Sequence, residues 1–524
     1  MTAVAEAAKA RHPIAVSDDV PAHCCFAAER MCRASMPVRL DYRARYLHRA
    51  NLETAPLARY NVNMGLVMSL SFSKKDANQQ SPTPGKDGMF TLPQTHKRTN
   101  PRTLLVVVGR FPCASETFIL NELTALEECG YSLKVVSCAP RERCDDRDET
   151  GIRGSVIYGP RISVLEVFCS LLRQIARSPV STGRLFAMAL ACVPHSLHGI
   201  WRAATATIIA SRVAPHLKDS VASHIHAHFI HAPALVTKLL ARALGTSHSI
   251  SAHARDVFVP DYRAGALCDG ASFIVVCSES AREALVSRLP EAVTHRVQVC
   301  YHGVDLTSFE FPHRRNAGEE TSDVVSTGRE GPGVTLCLVS VCRLVPKKGL
   351  DVVLRTLAIL KGRGVRFVYR IAGAGPEVSA LRILSRRLGL DEVEFLGTCD
   401  AGQVRALLAW ADAFVLGCRV THDGDRDGIP NVILEAMAAG VPVVASDAGG
   451  VREVVRHHDT GWLLPADDPQ AMADALHELM SDPALCDRVV ARARAEVEKR
   501  FDRKRNIAGL IDMLKRGINR PCAH

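Results

Sequence analysis

The residues best suited to chemistry lie in one short string, Asp427-Gly-Ile-Pro-Asn-Val-Ile-Leu-Glu435-Ala-Met-Ala-Ala-Gly440-Val-Pro442. Pro430 suits the first turn of a helix, because it has no amide hydrogen to leave unpaired. That puts Asp427 in the loop before the helix and Glu435 about five residues along it, roughly 7 Å at ~1.5 Å per residue. The free amides and positive dipole end of such a helix start suit a phosphate. A carboxylate accepts two hydrogen bonds at once, so it can grip the vicinal hydroxyls of a sugar or ribose. A helix cap and an ordinary salt bridge would account for either carboxylate alone. The whole string points to a ligand with both phosphate and hydroxyl pairs.

A second cluster, Ser340-Val-Cys-Arg343-Leu-Val-Pro-Lys-Lys348-Gly349-Leu-Asp351, closes an apolar strand and opens a helix. Arg343 and Lys348, presented there, can clamp a diphosphate and stabilise the charge that builds as it leaves. Solvated loop charges would look the same in isolation. A third element, Ala372-Gly373-Ala374-Gly375-Pro376, offers glycines that allow a ligand close to the backbone, or simply make a turn.

Two other patterns suggest metal and are read otherwise. His224, His226 and His228 share one face of a strand, with His231 beyond. No matching cysteine or carboxylate set stands near them in the sequence, so no metal site is expected. Asp423-Gly-Asp425-Arg-Asp427-Gly428 opens like a calcium-binding loop, but the twelfth position is Leu434, Glu435 falls one residue late, and Pro430 interrupts. It reads as a polar loop.

These clusters sit at the ends of strands. Thr103 to Gly109 is a continuous Val-rich run, the mark of a buried parallel strand, and a helix follows with Ser115 as its expected N-cap and Glu116 in its first turn. Leu133–Ser137, His224–Phe229, His248–Ala252, Phe273–Cys277 and Arg296–Tyr301 continue as strands, with a largely helical stretch over 164–217. The charged run 313–332 reads as a linker. A second series follows: Thr335–Val341, Phe367–Ala372, Val393–Leu396, Ala413–Leu416 and Pro442–Ala445. Such alternation predicts an α/β protein of two open, doubly wound parallel sheets facing a cleft. Residues 1–100 show no sustained period and read as a disordered extension. The expected domains are 101–315 and 334–482, with helices over 483–524 returning toward the first.

Composition narrows the partners. The net charge is +10, but residues 1–100 hold fourteen Lys and Arg against eight Asp and Glu, so +6 of it lies there. The remainder is too nearly neutral, and too poor in aromatics at 5%, to suggest nucleic acid. Eighteen cysteines are scattered without a Cys-x-x-Cys, as buried thiols in a reducing cytoplasm would be. No secretory signal is visible, and the apolar stretch 185–201 is too short and interrupted to span a bilayer.

The three clusters, in this arrangement, resemble the C-terminal domain of family 4 glycosyltransferases, which are retaining, metal-independent enzymes of GT-B architecture. Phe111-Pro112-Cys-Ala-Ser115-Glu116-Thr117-Phe118, His224-Ile-His226-Ala-His228-Phe229, Ser251-Ala-His253-Ala-Arg-Asp256 and Tyr301-His302-Gly303-Val304-Asp305 look like segments of members from exopolysaccharide and colanic-acid-type clusters. The likeness runs over about 103–515. It implies that Arg343 and Lys348 bind a donor diphosphate and that Glu435 holds the ribose hydroxyls. It further implies that Asp427, with the backbone of Gly428, Ile429, Pro430 and Asn431, faces the donor sugar. His253 would sit by the transferred sugar, with Ser115, Glu116 and Thr117 on the acceptor side. The donor would be a nucleotide sugar, with no other cofactor. The acceptor would be a glycan or polyprenyl-linked saccharide, met at the inner face of the cytoplasmic membrane. Asp427 stands where many relatives have Glu, Cys342 replaces the usual Gly, Gly417 stands where Pro is common, and the first loop lacks the frequent glycine pair. A nucleotide-sugar isomerase of similar fold and a non-catalytic sugar-binding subunit are the alternatives, and a donor-only incubation separates the isomerase.

Overall fold

The computed structural model describes residues 103–113, 116–141, 151–160, 163–217, 222–309 and 335–518. The first hundred residues and the linker run lie outside them. The first half holds β1 (Thr103–Val108), α1 (Thr117–Glu128), β2 (Ser132–Ser137), β3 (Ser155–Tyr158), α2 (Val164–Arg177), α3 (Pro179–Ala191) and α4 (Leu197–Leu217). It continues through β4 (Ala222–His228), α5 (Ala232–Leu244), β5 (His248–Ala252), α6 (Ala254–Phe258), α7 (Ala264–Cys268), β6 (Ile274–Val276), α8 (Glu279–Val286), α9 (Glu291–Thr294) and β7 (Val297–Val299). The second half runs β8 (Thr335–Val341), α10 (Leu350–Gly362), β9 (Arg366–Ala372), α11 (Val378–Arg387), β10 (Val393–Gly397), α12 (Ala401–Trp410), β11 (Ala413–Leu416), α13 (Asn431–Ala438), β12 (Val443–Ser446), β13 (Trp462–Leu464), α14 (Pro469–Ser481), α15 (Pro483–Arg500) and α16 (Arg503–Ile518).

Each half is one parallel sheet, ordered β3-β2-β1-β4-β5-β6-β7 and β10-β9-β8-β11-β12-β13. Leu104 to Val108 are fully buried, as a central strand covered by helices on both faces requires. In both sheets the order reverses beside the first strand, between β1 and β4 and between β8 and β11. Loops part at such a switch point and leave a crevice at the strand C-termini. The sequence clusters follow β8, β9 and β11, so two of the three flank the second switch point.

Three expectations need correction. The helix after β1 starts at Thr117 with Glu116 as N-cap and no side-chain cap bond, not at Ser115, which lies outside the described residues. The helical stretch 164–217 is three helices, broken at Ser178 and over 192–196. The short strands β3 and β13 were not expected. Outside both sheets, an isolated parallel bridge joins Val304, beyond β7, to Asp502, between α15 and α16. Beyond that bridge Leu510, Ile511, Met513 and Leu514 of α16 join the core of the first sheet, while Val489, Ala493 and Val497 of α15 belong to that of the second.

Candidate active site

Arg343 lies exposed on the turn that leaves β8. The neighbouring loop builds that turn: the amides of Cys342 and Leu344 donate to the carbonyls of Ala372 (3.0 Å) and Ala374 (2.9 Å), and Glu377 N–H donates to Leu344 O (3.1 Å). A Cβ on Gly373 would sit 1.8 Å from Cys342 O, and one on Gly375 2.3 Å from Leu344 O. The Arg343 turn itself therefore requires glycine at both positions, as the turn reading of this element expected.

Lys347 and Lys348 occupy a short 3-10 turn that ends at Gly349 with φ 57°. A Cβ on Gly349 would lie 1.7 Å from Gly417 O, and one on Gly417 2.3 Å from Gly349 O. This back-to-back contact explains glycine at 417 and turns both lysines inward. Lys348 Nζ is 2.6 Å from Asp427 Oδ2; Lys347 Nζ is 3.0 Å from Asp425 Oδ1 and 3.4 Å from Asp427 Oδ1. Burial pushes the Asp427 carboxyl up, but the two ammonium groups outweigh it and hold the group below its ordinary 3.8. Burial likewise disfavours charge on Lys348, and Asp427 reverses that, leaving its pKa raised. A carboxyl depressed in the fold contributes stability above its unfolded pKa and loses it as pH falls through the folded one. The pair is thus ionised across the neutral range.

Pro430 is the N-cap of α13, with Asn431 its first residue and Glu435 its fifth. Glu435 is half-buried and makes no ion pair among the described residues; burial raises its pKa, with Arg405 opposing. The loop before α13 is packed from both sides. A Cβ on Gly428 would come 3.1 Å from Cys277 Sγ and 3.5 Å from Ser278 Oγ in the first half, and one on Gly449 1.9 Å from Asp427 O. Ile429 packs against the second core. Further contacts hold the halves together. Glu453 accepts from the amides of Glu279 and Ser280 (both 2.9 Å), at the start of α8, and from the Tyr301 hydroxyl (3.2 Å), while Arg255 pairs with Asp425 at 3.2 Å.

On the first half, His253 is buried at the end of β5, its ring 4.8 Å from that of Phe118, 4.5 Å from Phe229 and 5.5 Å from His302. Burial, then neighbouring His302 and His228, hold it well below its ordinary pKa, so it is neutral. Glu116 is half-buried, and burial raises its carboxyl against the charges of His228, Arg343 and Arg110. Arg343 of the second half thus lies within electrostatic reach of Glu116 of the first. Thr117 is exposed beside it.

The strand histidines form a ladder with serines of β5 and the residue before it. His224 bonds Ser247 and Ser249 Oγ (both 2.7 Å), and His226 bonds Ser249 (2.7 Å) and Ser251 (2.9 Å). The expectation that no carboxylate accompanies them is wrong: Glu122 of α1 reaches within 3.2 Å of His228 Nε2 and 4.0 Å of His226 Nε2. These three are the one group among the described residues with metal-ligand spacing. The loop 423–427 is polar and folded on itself, with Asp423 accepting from Thr421 (2.5 Å) and the Asp425 amide (3.3 Å). A cavity of about 40 Å³ beside His253 is lined by Phe118, Glu122, Tyr301, His302 and Arg503; Arg343, Lys348, Asp427 and Glu435 do not line it.

Sequence reasoning missed Lys347, Glu453, Tyr301 and Glu122. Lys347 was in plain view beside Lys348, and only the inward turn at Gly349 shows that both serve. The other three act on partners more than a hundred residues away, which no local spacing reveals.

Comparison with known proteins agrees with this geometry. A family profile described as "Glycosyl transferases group 1" matches residues 332–496, the half that carries both lysines, Asp427 and Glu435. The putative colanic acid biosynthesis glycosyltransferase WcaL of Salmonella typhimurium is 31% identical over 438 residues, covering 77% of this chain and 98% of that protein. The amylovoran biosynthesis glycosyltransferase AmsK of Erwinia amylovora is 37% identical over 182 residues, 34% of this chain and 45% of its own. Among solved structures, Anabaena Alr3699/HepE in complex with UDP and glucose superposes with a TM-score of 0.56 at 17% identity, covering 79% of this chain and 99% of that one. Two Rossmann-like domains about a cleft, as in that structure, are the GT-B fold. With WcaL matched almost end to end, the chain belongs to the group 1 glycosyltransferases and is a glycosyltransferase of surface-polysaccharide synthesis.

Proposed function

We propose that the chain is a retaining, metal-independent family 4 enzyme that moves a hexose or related sugar from a nucleotide diphosphate to a glycan or polyprenyl-linked acceptor. One observation carries this reading: two buried lysines, two carboxylates and a free helix start converge where β8 and β11 part. Arg343 and Lys348 take the diphosphate, and amides at the start of α13 add to the field. Glu435, half-buried and without an ion pair among the described residues, grips the ribose hydroxyls. Asp427, with the backbone of Gly428 to Asn431, faces the sugar, and His253 lies by the transferred group and the acceptor. The departing diphosphate takes the acceptor proton on the face where the hydroxyl attacks, so no protein nucleophile is needed. The protein supplies positioning and charge stabilisation.

GDP-mannose and UDP-glucose are the first donors to try. A mannosyltransferase described as GDP-mannose-dependent, from Mycobacterium tuberculosis, is 38% identical over 160 residues, and HepE was solved with UDP-glucose. Transfer in the presence of a chelator, with the product's anomeric configuration read by NMR, tests mechanism and metal independence together. Inversion or loss of activity on chelation defeats the respective claim. Glu435→Ala is expected to weaken donor binding by about 10–100-fold, the loss of a paired charge-assisted contact, with a smaller effect on turnover. Unchanged donor affinity in calorimetry removes its role.

The same reading places the enzyme on the inner face of the cytoplasmic membrane. No helix of the described residues is long and apolar enough to cross one. However, α2 leaves Leu165, Phe168, Leu172 and Ile175 exposed at 71%, 61%, 50% and 43%, on one helical face by their spacing. Val167 and Leu171 turn inward against α4. Arg173, Arg177 and Arg184 are exposed nearby. Apolar side chains beside cations suit an anionic bilayer. Phe168→Glu with Leu172→Glu is expected to abolish sedimentation with anionic phospholipid vesicles while preserving transfer to a soluble acceptor. Failure of the parent protein to bind those vesicles sinks the membrane contact.

A further inference from the structure

The loop between β11 and α13 carries three aspartates, and sugar transfer as described uses only Asp427. Asp425, two residues earlier, divides its carboxylate between the halves. Oδ1 lies 3.0 Å from Lys347 Nζ of the second half, and Oδ2 lies 3.2 Å from Arg255 Nη1 of the first. Lys347 Nζ is in turn 3.4 Å from Asp427 Oδ1, and Lys348 Nζ is 2.6 Å from Asp427 Oδ2. An unbroken run of ion pairs thus joins α6 to the two lysines. The neighbours of Asp425 dock on the same helix. The Arg426 guanidinium lies over the Phe258 ring, 4.1 Å from its centre. A Cβ on Gly424 would come 3.7 Å from Phe258 O, and one on Gly428 3.8 Å from Ala254 Cβ. His253 is the N-cap of that helix, so whatever holds α6 against the loop also sets His253 relative to Asp427.

We propose that Asp425 is a positioning residue: through Arg255 it registers α6, and with it His253, against the loop that carries Asp427, a role that rests on sugar transfer as the activity. Neutralising Lys347 does not by itself call for this arrangement, because Asp427 already stands 3.4 Å from that ammonium. A cation held by the Asp-x-Asp pattern does not explain it either. Each oxygen of Asp425 and of Asp427 already faces an ammonium or a guanidinium. The Arg255 side chain is 63% exposed, and an exposed ion pair adds little to the stability of a fold. What the pair can set is geometry across the cleft. A displacement of about 1 Å between reacting groups can cost about 10²-fold in rate. A cleft that closes poorly also admits water, which competes with the acceptor for the donor sugar.

The test is a double-mutant cycle on the full chain. It reads kcat, donor KM and the share of cleaved donor that goes to water instead of acceptor. Asp425→Asn is expected to lower kcat by ~10–100-fold, as misplaced reacting groups do, with donor KM little changed and the hydrolysed share raised. Arg255→Ala is expected to lower kcat by about 5-fold, the upper end for an exposed pair, with the same rise in hydrolysis. Arg255→Lys should recover most of that, since a single guanidinium nitrogen meets Asp425. The double variant should be no slower than Asp425→Asn alone, because residues that act through one contact are not additive. Multiplying effects overturn the proposal, as does a fall in kcat with an unchanged hydrolysed share. Amide hydrogen exchange gives a readout without turnover: Arg255→Ala, a change in the first half, is expected to speed exchange over 421–428 in the second. Unchanged exchange there overturns the tie. Should Asp425→Asn fail to fold, the two Arg255 variants still decide. A parent protein that transfers sugar from no nucleotide donor would sink sugar transfer itself, and the exchange result would still judge the Arg255–Asp425 tie.

Discussion

Arg343→Ala is expected to lower kcat/KM by about 10²–10³, the usual loss when one preorganised donor to developing charge is removed, with no measurable loss of thermal stability. The two halves of this expectation come from the same geometry. Arg343 is exposed on a turn held by backbone bonds from Cys342 and Leu344, so truncating its side chain removes none of the contacts that form the turn. Surface substitutions of that kind typically stay within about 0.5 kcal/mol. Its charge nevertheless acts on Glu116 of the first half, as the proposed diphosphate clamp between the halves requires. The charge on a leaving diphosphate grows in the transition state, so the loss should fall mainly on kcat and less on donor affinity. Arg343→Lys restores charge without the fork and should recover only part. Near-normal transfer by Arg343→Ala would remove the diphosphate clamp from the reading.

What the sequence made legible follows from how locally each feature is determined. The fold was readable because buried parallel strands are continuous apolar runs, and Leu104 to Val108 can be nothing else in a soluble domain. The site was readable where a strand end, a glycine and a charge sit within ten residues, as from Arg343 to Asp351 and from Asp427 to Glu435. Legibility failed where a partner comes from another part of the chain. Gly373 and Gly375 could be read as a ligand contact or as a turn, because sequence cannot show that the Arg343 turn lies 1.8–2.3 Å from where their side chains would begin. Glu122 sits on an ordinary amphipathic helix, and its position under two histidines a hundred residues later depends on the β1–β4 adjacency of the sheet. Three-residue β13 and four-residue β3 fall below the length at which a period can be counted.

Lys348 carries the second large effect, and here the structure alters what a substitution should do. As a solvated loop cation, Lys348 would be lost at no cost to the fold. It is instead buried against Asp427, 2.6 Å away, with Lys347 at 3.4 Å from the same carboxylate. Lys348→Met is therefore expected to abolish most transfer and also to destabilise the second domain by about 3–5 kcal/mol, the cost of leaving a buried charge short of its partner. At about 2–4 °C per kcal/mol for a domain of this size, the melting midpoint should fall by roughly 10 °C. Lys347 offsets part of this, since its ammonium can move toward Asp427. The double variant Lys348→Met with Asp427→Leu removes both charges and should recover most of the stability while remaining inactive. That separation is what distinguishes a pair that holds the diphosphate from one that only holds the fold. The pH response supplies an independent sign. In the parent, Asp427 is held below 3.8, and its contribution is lost as pH falls through the depressed value. Without Lys348 the largest influence lowering that carboxyl is gone and burial is opposed by Lys347 alone, so Asp427 is less depressed and the single variant gains on the parent as pH drops toward the ordinary carboxylate range. Parallel melting curves of parent and Lys348→Met at every pH would refute the pairing. Full activity in the double variant would refute the catalytic role of both residues.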